Sequence, residues 1–449
     1  MRGKVLAASV IVAAGMLGVP TARAATQPPL QLVAENHISK RVVDLAFRTP
    51  ALASQTIVRV VLPAGFDPKA ATRYPVLYLL HGGAGKYTDW TTGGGVEALT
   101  AGLPLITVMP DGGRSAWYTD WFNNGRRGPP MWETFHIGQL LPWIDTHYPT
   151  IAARRGRAIA GLSSGGFGAM SYAARHPDLF VAAAGFSGAL DTNTPPVVAG
   201  KVIDALAAQD GGIPGSLFGL REIDEVRWRG HNPWDLAANF RNMTVVVRTG
   251  NGNAGGAFGG GGPADPGGSA LERACYMQSV SFHDRLAALG IDHVWDYYGA
   301  GTHNYAYWRR DLERTLPIFM AAFSAARPDP SPFSFTTIEP RYDIYGWSVH
   351  ITRRALEFSS ITRASGRGFR LSGSGTAVVT TASLYTPHKT YTARLRGDSG
   401  SQRRVLRADR DGRLHLTVPL GRSNLVQQQF TITGRSPATR VHTTTVTIT

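Results

Sequence analysis

The residues best placed to do chemistry are Gly161-Leu-Ser163-Ser-Gly165, a serine with a glycine two positions to either side. An apolar run, Ala158 to Ala160, precedes the motif, and the small-residue segment Phe167 to Arg175 follows it until His176-Pro177. This reads as strand, sharp turn and helix, with Ser163 at the apex. The turn strains the serine backbone, and the two glycines remove the clashes a side chain would cause there. The hydroxyl then stands at a sheet edge, and the Ser164 amide opens a helix that favours an anion. Those features suit nucleophilic attack on a carbonyl and stabilisation of the oxyanion that forms.

Such a nucleophile needs a second oxyanion donor, a base and an acid. Upstream, Tyr74 to Leu80 reads as a buried strand ending in His81-Gly82-Gly83. Its place before the serine marks an oxyanion loop, with the Gly83 amide as second donor. Downstream, Asp292 to Gly299 reads as a late strand, followed by Gly301-Thr302-His303. A histidine in a glycine-containing loop past a strand is where a general base would sit. His81, His136 and His293 are weaker candidates: they fall in the oxyanion loop, on a helix and within a strand. Thr244 to Thr249 is another buried strand, and the acids beyond it are Asp265, in a glycine-rich loop, and Glu272, in the first turn of a helix expected over Leu271 to Leu289. Glu272 could equally complement the helix dipole, and Asp265, Asp292 and Asp296 stay open.

The elements that must position these groups alternate between buried strands and helices, which predicts a doubly wound, mostly parallel α/β sheet. The chain has 449 residues, 52 glycines and 28 prolines, room for more than one domain. Met1 to Lys4 is basic, Val5 to Val19 is apolar, and Ala22-Arg-Ala24 ends in small residues; these are the parts of a secretory signal over residues 1–24. The apolar run is too short to span a membrane comfortably, so the expected product is secreted or envelope-associated, without a transmembrane span after cleavage. The single cysteine, Cys275, excludes an internal disulfide. No zinc-ligand spacing occurs, and no cofactor or metal is expected. Gly250-x-Gly252-x-x-Gly255 spells a dinucleotide fingerprint, but Ala254 to Gly268 is too rich in glycine to open a helix at the third glycine. It reads as a loop beside the acid.

The texture changes at Ala326-Arg-Pro328-Asp-Pro330-Ser-Pro332, a proline-stiffened linker over residues 326–333. Beyond it, Trp347 to Arg353, Thr376 to Thr381, Thr390 to Leu395, Arg413 to Val418 and Thr443 to Thr449 alternate and are rich in Thr and Val. They predict a smaller all-β, sandwich-like domain over 334–449, with Asp411-Gly412 as a hairpin turn. After Ala326 there are 18 Lys and Arg against 7 Asp and Glu, so this part carries most of the net +15. The basic surface points to an anionic cell-envelope polymer; without interleaved aromatic residues it does not point to nucleic acid.

Residues 35–325 resemble the esterase branch of the α/β-hydrolases, and within it the antigen 85 mycolyltransferases and diacylglycerol acyltransferases. The resemblance rests on Leu79 to Gly83, Val108 to Gly113, Trp117 to Trp121, Trp132 to Phe135, Gly161 to Gly165, Asn232 to Asp235, Gly250 to Gly252, and Gly301 to His303 with Tyr307-Trp308, in that order. It implies Ser163 as nucleophile, His303 as base, Glu272 as acid, and Gly83 and Ser164 as oxyanion donors. Where mycolyltransferases carry Asp and Arg beside the oxyanion loop, this chain has His81 and Ala84; where they have Trp after the base, it has Tyr305. Acyl chemistry survives those changes, whereas trehalose recognition does not follow.

The expected function is a secreted serine acyl enzyme over residues 25–325, acting on a lipid or envelope ester by hydrolysis or by transfer to an alcohol. The alternatives are a non-catalytic envelope-binding or adhesin protein on the same scaffold, and a serine peptidase. Trp90, Trp117, Tyr118 and Trp121 could line a cleft or belong to the core, and Asp120 could be a structural acceptor.

Overall fold

The computed structural model describes residues 30–69, 71–122, 130–194, 196–398, 400–431, 434–435 and 439–449; the expected leader, residues 1–24, lies outside them. Nine strands form the first sheet. They are β1 (Gln31–His37), β2 (Val42–Arg48), β3 (Thr56–Val61), β4 (Val76–Leu80), β5 (Ile106–Pro110), β6 (Arg157–Leu162), β7 (Ala182–Phe186), β8 (Thr244–Thr249) and β9 (Val294–Tyr297). Their order is β1-β2-β3-β5-β4-β6-β7-β8-β9. Neighbours are parallel from β5 to β9. β1, β2 and β3 add an antiparallel edge.

The central strands are apolar throughout because helices cover both faces. Along β4, Val76, Tyr78 and Leu80 enter one core while Leu77 and Leu79 enter the other. Helices α1 (Ser164–Arg175), α2 (Arg221–His231) and α3 (Pro266–Ala288) pack on the first through Phe167, Trp228 and Phe282. Helix α4 (Tyr305–Ser324) packs on the second through Trp308, Leu312 and Phe319. Since β6 to β9 are parallel neighbours, the loops after them open at one edge of the sheet, where open α/β sheets place ligands.

Several boundaries differ from expectation. The strand expected from Tyr74 begins at Val76, and Phe333, the last residue of the expected linker, already opens the first strand of the β region and enters its core. The late strand contracts to Val294–Tyr297. Helix α3 begins at Pro266, ahead of Leu271, because Asp265 caps it by accepting from the Gly268 amide at 2.9 Å. That cap, with proline in the first turn, outweighs two glycines.

The rest of the chain is antiparallel β. The strands are β10 (Phe333–Thr337), β11 (Arg341–Ile344), β12 (Trp347–Thr352), β13 (Ser359–Ser365), β14 (Gly368–Gly373), β15 (Gly375–Thr380), β16 (Thr390–Gly397), β17 (Gly400–Arg407), β18 (His415–Leu420), β19 (Phe430–Thr431), β20 (Gly434–Arg435) and β21 (His442–Ile448). One sheet has the order β10-β13-β14-β21-β16-β17, a second β11-β12-β15-β18, and β19 pairs with β20. The two larger sheets share a core of inward residues such as Trp347, Phe369, Leu395 and Val418. The turn at Asp411-Gly412 does not make a hairpin. It joins β17, in the first of these sheets, to β18, in the second. The Asp409 carboxylate closes it by accepting from the Asp411 and Arg413 amides, both at 2.9 Å.

This β region meets the α/β region at the C-terminal end of α1. Arg175 bonds Glu133 at 3.0 Å and Glu339 at 3.1 Å, Asn239 Nδ2 donates to the Thr336 carbonyl at 2.9 Å, and Tyr345 donates to the Pro177 carbonyl at 3.1 Å. Ser163 lies at the other end of α1, about 18 Å away at 1.5 Å per residue.

Candidate active site

Ser163 has φ 55° and ψ −125°, a conformation few side chains tolerate. The glycines beside it are required by contact. A Cβ on Gly161 would lie 2.1 Å from the Gly165 carbonyl oxygen, and one on Gly165 would lie 2.2 Å from the His81 carbonyl oxygen. The turn is thus pressed between β6 and the end of β4. Gly83 lies across from it: a Cβ there would be 3.6 Å from Ser164 Oγ. The amide of Ser164, first in α1, has no partner within the helix. The two candidate oxyanion donors and the candidate nucleophile are therefore adjacent.

Glu272, in the second turn of α3, is fully buried. Its Oε1 accepts from Ser187 Oγ at 2.9 Å, Thr249 Oγ1 at 3.1 Å and the Gly250 amide at 2.7 Å. Its Oε2 lies 2.8 Å from His303 Nδ1. Burial by itself would raise the carboxyl pKa; the hydrogen bond and charge of His303, with those of Ser187 and Gly250, outweigh it and leave the pKa lowered. Such a carboxylate stays ionised and fixes the imidazole with Nδ1 as donor. Trp308 stands edge-on to His303, with ring centres 4.9 Å apart, and donates from Nε1 to Ser187 Oγ at 3.2 Å.

None of the other acids contacts His303 among the described residues. Asp265 caps α3. Asp296 pairs with Arg248 and Arg310. Asp292 is exposed, with no partner among the described residues. The weaker histidines are structural. Buried His81 accepts from the Gly112 amide at 2.9 Å. His136 contacts Tyr172 OH at 3.1 Å and the Asp111 carbonyl at 2.8 Å, and burial pushes its pKa down to about 4. His293 contacts His283 at 2.7 Å. Asp120 accepts from the amide and hydroxyl of Thr134 at 2.9 and 2.6 Å.

The glycine-rich fingerprint holds Glu272: the Gly250 amide bonds its carboxylate, and the Gly252 amide bonds the Gly301 carbonyl at 2.9 Å. Sequence reasoning missed Ser187. The available signal was Ala182 to Phe186, a buried strand followed at once by a serine and parallel to the strand that Ser163 follows.

A small apolar pocket opens beside Ser163 and Ser164, walled by Trp117, Ala189, Ile203, Leu206 and Cys275, with half-exposed Val202 and Leu271 at its rim. Trp90, Tyr118 and Trp121 belong to the cores. Cys275 reaches this wall from α3, its thiol pKa raised by burial and by Glu272.

Residues 49–319 match the family described as Putative esterase. The chain is 36% identical over 268 residues to Esterase Rv1288 of Mycobacterium tuberculosis, covering 59% of this chain and 56% of that protein. It thus spans little more than half the length of that relative. It is 32% identical over 257 residues to the diacylglycerol acyltransferase/mycolyltransferase Ag85B of Mycolicibacterium smegmatis, covering 54% of this chain and 75% of that one. Among solved structures, Mycobacterium tuberculosis MPT51 (FbpC1) shares the fold at 24% identity, with a TM-score of 0.50, over 62% of this chain and 97% of that one. No helix among the described residues is long and apolar enough to cross a membrane.

Proposed function

This chain belongs to the Putative esterase family, and on that footing we propose a serine acyl enzyme that acts on carboxylic esters through Ser163, His303 and Glu272. The observation that carries the reading is the division of labour on Glu272. Three donors hold Oε1, which leaves Oε2 directed at His303 Nδ1, at the sheet edge where Ser163 sits in its strained turn.

In this reading His303 Nε2 takes the Ser163 hydroxyl proton as Oγ attacks the ester carbonyl. The carbonyl oxygen becomes an oxyanion held by the Gly83 and Ser164 amides; losing one such donor typically costs about 10²–10³ in rate. Glu272 stabilises the imidazolium. His303 returns the proton to the leaving alcohol, and an acyl group remains on Ser163. Water or a second alcohol, deprotonated by His303, then releases it. The small apolar pocket beside Ser163 suits a short acyl group, with the rim open to longer chains.

We further propose that the protein is exported by residues 1–24 and works on lipid or envelope esters. Residues 25–325 would carry the chemistry, residues 326–333 the linker, and residues 334–449 retention on an anionic envelope polymer. The experiment follows a chromogenic short-acyl ester with and without glycerol, measuring released alcohol and free acid separately, alongside labelling by a serine-reactive phosphonate. Ester turnover and labelling, both lost in Ser163→Ala with an unchanged melting temperature, support the reading. Alcohol matched by free acid makes water the acceptor; an acylated glycerol makes it a transferase. Absence of turnover and labelling in the wild type would favour the non-catalytic scaffold.

A further inference from the structure

The outward face of the six-stranded β sheet carries an arrangement that no catalytic argument uses. On β14, Phe369 and Leu371 point into the core while Arg370 points out; on β16, Ala393 and Leu395 point in while Arg394 and Arg396 point out. The pairing register aligns them. Arg370 lies opposite Thr445 of β21, which lies opposite Arg396, which lies opposite Ser401 of β17. In the next row Thr447 lies opposite Arg394, which lies opposite Arg403. Strand spacing puts Arg370 and Arg396 about 10 Å apart across the sheet, and Arg394 and Arg396 about 7 Å apart along one strand.

Two like charges directly opposite each other, as at Arg394 and Arg403, destabilise a sheet unless an anion lies between them. No described residue supplies one. Among the described residues, the side chains of Arg370, Arg394, Arg396 and Arg403 have no ion-pair partner, and neighbouring acids are engaged: Asp398 with His442 and Asp409 with His415, both at 2.8 Å. A groove of about 720 Å³ runs into this face, lined by Arg363, Arg367 and Arg370 with the hydroxyls of Ser365, Thr445 and Thr447, and it contains no acidic residue.

We infer that this face binds a linear polymer of phosphodiester-linked units, with one phosphate seated in the Arg363–Arg367–Arg370 groove and others over Arg394, Arg396 and Arg403. Guanidinium forks take phosphate oxygens in pairs, and threonine hydroxyls donate to the same oxygens. The repeat of positive charge extends across four strands, which suits a chain better than a single anion. The outward positions of β14, β16, β17 and β21 carry no aromatic ring on which a base could stack. Only Val405 offers an exposed apolar side chain there, too little to enter a lipid surface. The inference deepens the retention part of the reading above and rests on no catalytic residue.

The test measures binding of the full chain to fluorescent poly(glycerol phosphate), with poly(dT) and phosphatidylglycerol vesicles as competitors. Two triple variants each remove three positive charges: R370Q/R396Q/R403Q on the face, and R341Q/R410Q/R422Q, which includes Arg341 on β11 of the other sheet. The wild type should bind with an affinity that falls as salt rises. The face variant should bind at least tenfold more weakly with a shallower salt dependence, while the off-face variant keeps wild-type affinity. The face variant, relieved of the Arg394–Arg403 repulsion, should melt no lower than the wild type, the off-face variant should keep its melting temperature, and both should keep wild-type ester turnover, so that a failure of binding and a failure of catalysis are read separately. The inference is overturned if the wild type does not bind, if both variants weaken equally, or if poly(dT) or the vesicles compete at lower phosphate concentration than the polymer itself.

Discussion

Glu272 and His303 meet at 2.8 Å although they are 31 residues apart and lie on opposite sides of β9 in the chain. The contact uses Oε2, while Ser187, Thr249 and Gly250 fix Oε1. Changing the carboxylate to an amide puts a donor or a neutral oxygen where an ionised acceptor belongs. Glu272→Gln should therefore lower kcat by about 10³–10⁴, the scale of losing the triad acid. Asp265→Asn should leave kcat at the wild-type value, since asparagine caps a helix about as well as aspartate. Steady-state turnover of a short-acyl ester checks both; a loss confined to the Asp265 variant would reassign the acid.

Ser187→Ala removes one of the donors to Oε1 and the acceptor of the Trp308 indole. Removing a buried hydrogen-bond partner costs on the order of 1–2 kcal/mol, more when the group it served is charged. The Glu272 carboxyl pKa should rise, because one of the bonds that lowers it is gone. A carboxyl with a lowered folded pKa stabilises above the ordinary carboxylate range and loses that contribution as pH falls through the folded value. In Ser187→Ala the loss should begin at higher pH, with kcat reduced several-fold at pH 7. Paired pH–rate and pH–melting profiles check it, and superimposable profiles would count against this role for Ser187.

Gly165→Ala tests the geometry of the turn. The added methyl would sit 2.2 Å from the His81 carbonyl oxygen, just past β4, so the turn must move. The expected outcome is a loss of several kcal/mol, within the range of severe backbone strain and overpacking, together with loss of turnover. Gly267, in the first turn of α3, meets nothing within 4 Å of an added Cβ. Gly267→Ala should raise stability by about 0.5–1 kcal/mol without affecting activity. Equal behaviour of the two variants in thermal melts would remove the contact argument.

His136 supplies a pH dependence of folding. Burial pushes its pKa from 6.5 down to about 4. Between those values the unfolded chain binds a proton that the native state refuses. Stability should therefore fall as pH drops from 6.5 toward 4, and this contribution should level off below. Its full size is on the order of 3 kcal/mol at about 1.4 kcal/mol per pKa unit. His136→Gln should flatten that part of the slope; melting midpoints followed from pH 7 to pH 4 in both proteins would show it, and an unchanged slope would assign the acid sensitivity elsewhere.

Much of this was legible in the chain itself, because it depends on local rules. The serine turn is written in the spacing of Gly161, Ser163 and Gly165, since a backbone at φ 55° pressed against its neighbours leaves no room for side chains two positions away. The buried strands are written in short apolar runs such as Val76 to Leu80, and the β region in alternating Thr and Val. The failures also have local causes. The glycines before Leu271 argue against helix there, whereas a single aspartate, Asp265, caps α3 so that it begins five residues earlier. The turn at Gly412 reads as a hairpin because a turn sequence does not say in which sheet its second strand will pair.

Tertiary structure decided what no spacing could. Which acid faces His303 depends on α3 laying Glu272 under the ends of β7 and β8, where Ser187 and Gly250 await its second oxygen. Asp265 and Asp296, equally acidic in the sequence, find a helix terminus and two arginines instead. In the same way the chain announces its excess of arginine, but only the register of β14, β21, β16 and β17 gathers four of those arginines onto one face. The physical reason is common to both cases. A charge acts over a few ångströms, and distances of that size between residues far apart in sequence exist only once the strands and helices have packed.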